Sequence, residues 1–391
     1  MNIVIVSPNR LLTLRGSEHF VLETCRRFSY HPSVKTQVVT FRRRYATEDL
    51  ARLDEGELRS RLRTVYHSIT PGSWSEFNWV SPKVFRKNPI LDELNRRMEV
   101  VPPGRKLTQI LRSADRIYFV TWSMEDLLAF LPVAFFAGRK HVVAGIHSRM
   151  PVRGSDRAIL SLWARLGVLR GVHTLDSQST RVLRRLPVTV IQIQNEIDCE
   201  MFRPGEKSRD RFVVLFAGSA SLAKGADLLP RIYGSLVEKQ MQGFTMWICS
   251  SETGKLGKEI AEWCKGKENV VFKGWASRTE LAAFYRQASV LLMPSRREVQ
   301  PLANLEAQAS GTPVIASDLP SFRENIKDGE TGFLVHEFEV EAFAQRIMEL
   351  YSMWLRGAPY EKMCTDARRY VSENFASPIG SDKLLRMLIN A

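Results

Sequence analysis

The stretch PSRREVQPLANLEAQASGTPVIAS, residues 294–317, reads as strand end, loop, helix and strand in immediate succession. An apolar run ends at Pro294, a polar loop follows, apolar spacing returns from Leu302 to Ser310, and Pro313–Ser317 restarts a strand. Gly311 stands where a helix C-cap calls for left-handed backbone. Glu298 and Glu306, eight positions apart, bracket the expected helix start near Pro301 and Leu302. The free N–H groups and dipole of that start favour an anion. A carboxylate on each side can accept hydrogen bonds from sugar hydroxyls, so the pattern suits a sugar joined to phosphates. The competing reading is an ordinary helix whose glutamates face solvent.

Working outward, the same alternation repeats. In the second half, Arg211–Ala217, Thr245–Cys249, Asn269–Phe272, Val290–Met293 and Pro313–Ser317 read as strands. Helices fit at Ala226–Gln240, Gly254–Trp263, Arg278–Gln287, Leu302–Ser310 and Val340–Trp354. In the first half the strands are Asn2–Ser7, Thr36–Phe41, Arg116–Thr121, His141–Ile146 and Val188–Ile193, with helices at about Gly16–Phe28 and Asp156–Leu169. LLAFLPVAFFAG, residues 127–138, is a buried helix or strand, too short to span a bilayer. Such alternation predicts an α/β chain of two tandem, doubly wound Rossmann-like domains facing across a cleft. The polar, aperiodic stretch around 195–210 predicts the boundary: residues 1–200, then 201–357, with helices over 358–391 crossing back to the first domain.

The length, 391 residues, agrees with two domains. The net charge of +14 is uneven: residues 1–200 hold 31 Lys and Arg against 19 Asp and Glu, and the remainder hold 25 against 23. A basic first half favours anionic partners or is simply a solvated face. The cysteines, Cys25, Cys199, Cys249, Cys264 and Cys364, are scattered, without zinc or disulfide spacing, which predicts a reducing compartment. The opening MNIVIVSPNR lacks the basic start of a secretory signal, so a cytoplasmic location is expected, peripheral at the inner face of a membrane in one reading.

Glu306-Ala307-Gln308-Ala309-Ser310-Gly311-Thr312-Pro313-Val314-Ile315, preceded by Glu298, resembles the signature of glycosyltransferase family 4, retaining enzymes of the two-domain GT-B fold. FAGSASLAKG, residues 216–225, is similar to that family's diphosphate-holding element and keeps Gly218, Lys224 and Gly225. Ser219 stands where the family has Arg and brings neither charge nor a bidentate fork; Arg296 and Arg297 are candidates to replace it. Gly16 and Ser17 sit in a loop similar to the family's phosphate-closing G-G-x-E, with Arg15 for the first Gly. His147 follows a strand where the family places a histidine facing the sugar, and Gly274 falls where backbone meets the nucleobase. Val299 replaces a usual Gly.

The resemblance implies transfer of a sugar, a hexose by expectation, from a UDP- or GDP-linked nucleotide-diphosphate sugar to a glycan or a phosphorylated or lipid-linked acceptor, with retention of configuration. Glu298 would hold the donor sugar, Glu306 the ribose hydroxyls, Lys224 the leaving diphosphate, and His147 would line the reaction centre. Gly218, Ser219, Pro301 and Leu302 would contribute phosphate contacts. With no covalent nucleophile evident, a front-face route is expected. No D-x-D motif is present, so no cofactor and no metal are expected. Polysaccharide biosynthesis is the expected setting. The basic first half, with Trp74, Phe77, Trp79 and Phe85, suggests an anionic membrane surface. The alternatives are a catalytically inactive sugar-nucleotide-binding protein of the same fold, a related epimerase or phosphorylase, and a nucleic-acid binder, for which no docking motif is present; nucleic acid is therefore not expected as a partner.

Overall fold

The computed structural model describes residues 1–7, 21, 24, 27–28, 31–41, 78–80, 105–121, 124–138, 140–147, 154–205, 210–252, 254–336 and 339–391. The chain divides into two compact units, Met1–Gln194 with Gly380–Ala391, and Asn195–Ile379. In unit 1 the described elements are β1 (Asn2–Ser7), β2 (Lys35–Phe41), β3 (Asn78–Val80), α1 (Arg105–Ser113), β4 (Arg116–Thr121), α2 (Met124–Phe136), β5 (Val142–Ile146), α3 (Gly154–Arg165), β6 (Leu169–Thr174), α4 (Ser177–Leu183) and β7 (Thr189–Gln192). In unit 2 they are β8 (Phe212–Ala217), α5 (Leu229–Glu238), β9 (Phe244–Cys249), α6 (Gly254–Cys264), β10 (Val270–Phe272), α7 (Arg278–Gln287), β11 (Val290–Met293), α8 (Leu302–Ala309), β12 (Val314–Ser317), α9 (Pro320–Arg323), β13 (Gly332–Val335), α10 (Val340–Arg356) and α11 (Ala358–Asn374). The last helix, α12 (Ile379–Asn390), returns to unit 1.

Each unit is built on one parallel sheet. The order is β3-β2-β1-β4-β5-β6-β7 in unit 1 and β10-β9-β8-β11-β12-β13 in unit 2. Strands such as Val4–Ser7 and Phe212–Ala217 are buried on both sides because helices cover both faces. In unit 1, Leu111, Leu127, Leu131 and Leu160 from α1, α2 and α3 pack on one face, and Leu384 and Leu388 from α12 meet Ile3 and Ile5 on the other. In unit 2, Ile232, Ile260 and Phe343 cover one face, and Tyr285, Leu305 and Val371 the other.

Several elements differ from the sequence reading. The helix expected to reach Leu169 stops at Arg165, because Gly167 takes a φ of 74° and the chain turns into β6. The short strands β3 and β13 were too brief to stand out from their surroundings. The apolar run 127–138 lies in a helix despite Pro132. The helix expected from Ala226 begins at Leu229, behind two short 3-10 turns separated by Gly225. The boundary falls at 194/195, and α11 stays with unit 2. Arg368 of α11 explains this: its guanidinium donates to the carbonyls of Phe202 and Ala309 at 2.8 Å each and to that of Cys199 at 3.1 Å. The backbone around Ile197 also pairs with Phe375 and Ser377.

Replacing Arg368 removes the donor from three backbone acceptors at once. Arg368→Met is expected to destabilise unit 2 by about 2–4 kcal/mol, from roughly 1 kcal/mol per lost hydrogen bond plus the unpaired carbonyls. Urea unfolding measures it; a loss below about 0.5 kcal/mol, the range of neutral surface changes, contradicts the assignment.

Candidate functional site

In unit 2 the strand order reverses between β8 and β11. Ligands of open α/β sheets bind beyond the carboxyl ends of the strands at such a switch point, because the two following loops diverge there. Those loops are 218–228 and 294–301. They are locked together. Arg296 grips Asp227 with both terminal nitrogens, at 2.5 and 2.7 Å, and also donates to the Leu222 carbonyl at 2.7 Å. Its own N–H bonds the Ala223 carbonyl at 2.9 Å. The hydrogen bonds from Arg296 hold the Asp227 carboxyl below its usual range. Gly225 takes a φ of 68°, and its missing side chain lets the loop lie directly on the Pro294 carbonyl, which a Cβ would strike.

This seating presents Lys224 to Glu298. The ammonium donates to both carboxylate oxygens, at 2.6 and 2.8 Å, and Ser295 Oγ donates to the nearer one at 3.0 Å. Glu298 is buried, at 7% exposure, while Lys224 is half-buried. The sequence reading assigned these residues to separate tasks; the structure makes them one ion pair. Arg296, a candidate for the charge missing at Ser219, is instead committed to Asp227. Arg297 is exposed and has no ion pair among the described residues.

Glu306 lies on α8, itself buried, with each oxygen held: Arg278 Nη1 at 2.9 Å from one and the Tyr285 hydroxyl at 3.2 Å from the other. Burial pushes its carboxyl up, and Arg278 and Tyr285 partly offset this. Arg278 is in turn stacked over Phe202, 4.9 Å from the ring centre. The sequence reading missed Arg278 and Tyr285. The box Ser277-x-x-Glu280, which closes on itself in the structure, fixes α7 so that Arg278 opens it. Pro301 is the N-cap of α8 and Leu302 its first residue, and no side chain caps that end. Gly218 donates to the Cys249 carbonyl at 3.1 Å, Ser219 is exposed beside Ser221, and Gly274 takes a φ of 71° just before exposed Trp275. Gly16 and Ser17 lie outside the described residues, as do Trp74 and Phe85. Among the described residues no group of acidic, His and Cys side chains is arranged to hold a metal.

His147 belongs to unit 1, directly after β5, where its N–H donates to the Thr121 carbonyl at 2.8 Å. Its ring is buried and lies 5.4 Å, edge to face, from that of His173. Tyr118 joins them, its hydroxyl 2.6 Å from His173 Nε2 and 3.5 Å from His147 Nε2. Gly145 lies on the strand between Tyr118 and His173; a Cβ there would meet both side chains at 2.5 Å. Burial drives the His147 imidazole well below its ordinary value, His173 adding to it, and drives His173 to about 3. Both rings are therefore neutral at neutral pH.

Residues 199–370 match the model of the family Glycosyl transferases group 1, a segment that lies within unit 2. A D-inositol 3-phosphate glycosyltransferase of Catenulispora acidiphila is 30% identical over 182 residues, 42% of this chain and 44% of that protein. A 41.2 kDa protein of the cps region of Klebsiella pneumoniae is 34% identical over 148 residues, 38% of this chain and 39% of that one. The chain thus spans less than half the length of these two curated relatives. Solved structures match throughout: a glycosyltransferase from Rickettsia africae, with TM-score 0.75 and 15% identity, covers 100% of this chain and 98% of its own. Anabaena HepE, solved in complex with UDP, has TM-score 0.73 and 15% identity over 100% of both chains. At that identity these neighbours establish the GT-B fold. Unit 2 carries the group 1 glycosyltransferase sequence, in accord with the resemblance drawn above.

The neutral histidines make unit 1 sensitive to acid. The unfolded chain binds protons below about pH 6.5 that folded His173 refuses until about pH 3, so its contribution is full above 6.5 and is lost as pH falls. By pH 5 the loss is roughly 2 kcal/mol for this one ring. His173→Gln is expected to flatten the fall in unit 1's melting temperature between pH 7.5 and 5; an unchanged slope contradicts the assignment.

Proposed function

We propose that the protein is a glycosyltransferase that moves a sugar from a nucleotide-diphosphate sugar to an acceptor with retention of configuration. The observation that carries this reading is the Lys224–Glu298 pair at the switch point of unit 2, beside the uncapped start of α8. A donor diphosphate at that helix start gains the dipole and free N–H groups. Lys224, released from Glu298, turns its ammonium to the departing diphosphate, and the freed Glu298 carboxylate accepts hydrogen bonds from the sugar. Glu306, oriented by Arg278 and Tyr285, accepts from the ribose hydroxyls through its remaining lone pairs.

The reaction then needs no covalent intermediate: the acceptor hydroxyl attacks from the face the diphosphate leaves, giving its proton to the leaving oxygen. Neutral His147 serves as a hydrogen-bonding group and not as a charged acid. The protein acts without a metal. A UDP donor is supported by the UDP and UDP-glucose complexes of Anabaena HepE. A phosphorylated acceptor is supported by the inositol 3-phosphate named for the Catenulispora acidiphila relative and by the basic charge of residues 1–200. A second reading, binding of the nucleotide sugar without transfer, is favoured by the serine at position 219, where the resembled family has arginine, and by the pairing of Lys224 with Glu298.

Removing either member of the pair separates these readings. Lys224→Ala and Glu298→Ala are each expected to lower kcat for donor turnover by about 10²–10³, the cost of one charge-stabilising group. Donor hydrolysis followed by proton NMR reports both the rate and the anomer released. Turnover unchanged in Glu298→Ala, or an inverted anomer, contradicts the proposal; tight nucleotide binding with no turnover in the wild type selects the second reading.

A further inference from the structure

Glu298 sits midway between two ties of its own loop. Two residues before it, Arg296 joins the loop to Asp227. Two residues after it, Gln300 joins the loop to Asn195, the first residue of unit 2. The Asn195 N–H donates to Gln300 Oε1 at 2.5 Å, and Asn195 Nδ2 reaches the Gln300 carbonyl at 3.4 Å. Both residues are buried. Gln300 directly precedes Pro301, the N-cap of α8, so the same tie sets where α8 begins. The anchor is itself held. Ile197 donates its N–H to the Phe375 carbonyl at 2.8 Å and accepts from the Ser377 N–H at 3.0 Å. Glu196 Oε1 accepts from Ser377 Oγ at 2.9 Å. Ile197 and Phe375 are buried in the same core cluster as Leu305 of α8.

Burial alone does not account for Gln300. Its Nε2 and the Oδ1 of Asn195 have no hydrogen-bond partner among the described residues. An apolar side chain of similar size would fill the space without that demand. What a buried carboxamide adds is the direction of its hydrogen bonds. That direction matters most once a donor is bound. Under the proposed function Lys224 leaves Glu298 for the diphosphate, and of its present hydrogen bonds Glu298 keeps the one from Ser295 Oγ. The place of the loop then depends on its two ties. We propose that Gln300 is a positioning residue: through Asn195 it holds Glu298 and the start of α8 where they meet the donor sugar and its diphosphate. The inference rests on the glycosyltransferase reading, and it requires no contact between Gln300 and the substrate.

The test follows hydrolysis of UDP-, GDP- and ADP-glucose by the full chain as wild type, Gln300→Met and Gln300→Glu. Gln300→Met removes the accepting oxygen at similar volume. It is expected to lower kcat about tenfold while the donor KM moves less than about twofold, because a small misplacement acts on the transition state. Gln300→Glu keeps an oxygen for the Asn195 N–H and gives up only Nε2, so kcat is expected to return to within about threefold of the wild type. Hydrogen exchange of the Asn195 amide reports the tie without turnover: slow in the wild type and Gln300→Glu, fast in Gln300→Met. A merely structural role would lower the melting temperature and leave kcat of the folded protein unchanged. Equal kcat in the wild type and Gln300→Met overturns the proposal. So does a loss of kcat, in either variant, with the Asn195 amide still as protected as in the wild type. A wild type that hydrolyses none of the three donors and is stabilised by none overturns the glycosyltransferase reading and this inference with it, an outcome distinct from an active wild type matched by Gln300→Met.

Discussion

The site depends on one clamp. Arg296 on the loop after β11 grips Asp227 on the loop after β8, and everything between them is placed by that grip. A bidentate guanidinium–carboxylate pair fixes direction as well as distance. Once the loops are joined, the left-handed turn at Gly225 and its seat on Pro294 leave Lys224 beside Glu298. Glu298 is nearly buried, and a buried carboxylate without a cation is costly, on the order of 3–5 kcal/mol when one partner is removed. The ion pair therefore stores an electrostatic demand at the switch point. Under the proposed function an incoming diphosphate would satisfy Lys224 and sugar hydroxyls would satisfy Glu298, so that ligand binding would exchange one set of partners for another.

The other buried ionisable groups solve the same problem differently. Glu306 is kept in register by Arg278 and Tyr285, although burial still raises its pKa. In unit 1 burial keeps the histidines neutral, with the Tyr118 hydroxyl close to both rings and Gly145 leaving the room they occupy. The two units thus offer different chemistry: charged, oriented carboxylates in one, and a neutral hydrogen-bonding cluster in the other.

Much of this was legible in the sequence, for identifiable reasons. Runs such as NIVIVS and RFVVLFA announce strands buried on both faces, and the reading placed β1, β4 and β11 at their observed ends. The strand β6 was hidden because Gly167 ends α3 without any polar break before LRGVHT. The motif around Glu298 and Glu306 was read as a strand end, a loop and a helix, and the structure has β11, a loop and α8 there. What it could not convey was pairing between distant residues: nothing in a linear pattern says that Lys224 faces Glu298, that Arg296 is spent on Asp227, or that Arg278 reaches Glu306. Those contacts arise from the parallel register of β8 against β11 and from the capping of α7, which only the folded sheet brings together.

The central claim is that the switch point of unit 2 holds a nucleotide-diphosphate sugar through Lys224. The most direct measurement is the melting temperature of the wild type and of Lys224→Ala against UDP-, GDP- and ADP-sugars and their free nucleotides, since a ligand of the native state raises it by mass action. The account predicts that one nucleotide series stabilises the wild type and that the variant loses most of that shift. If no series stabilises the wild type at millimolar concentration, or if Lys224→Ala responds as fully as the wild type, the account is contradicted.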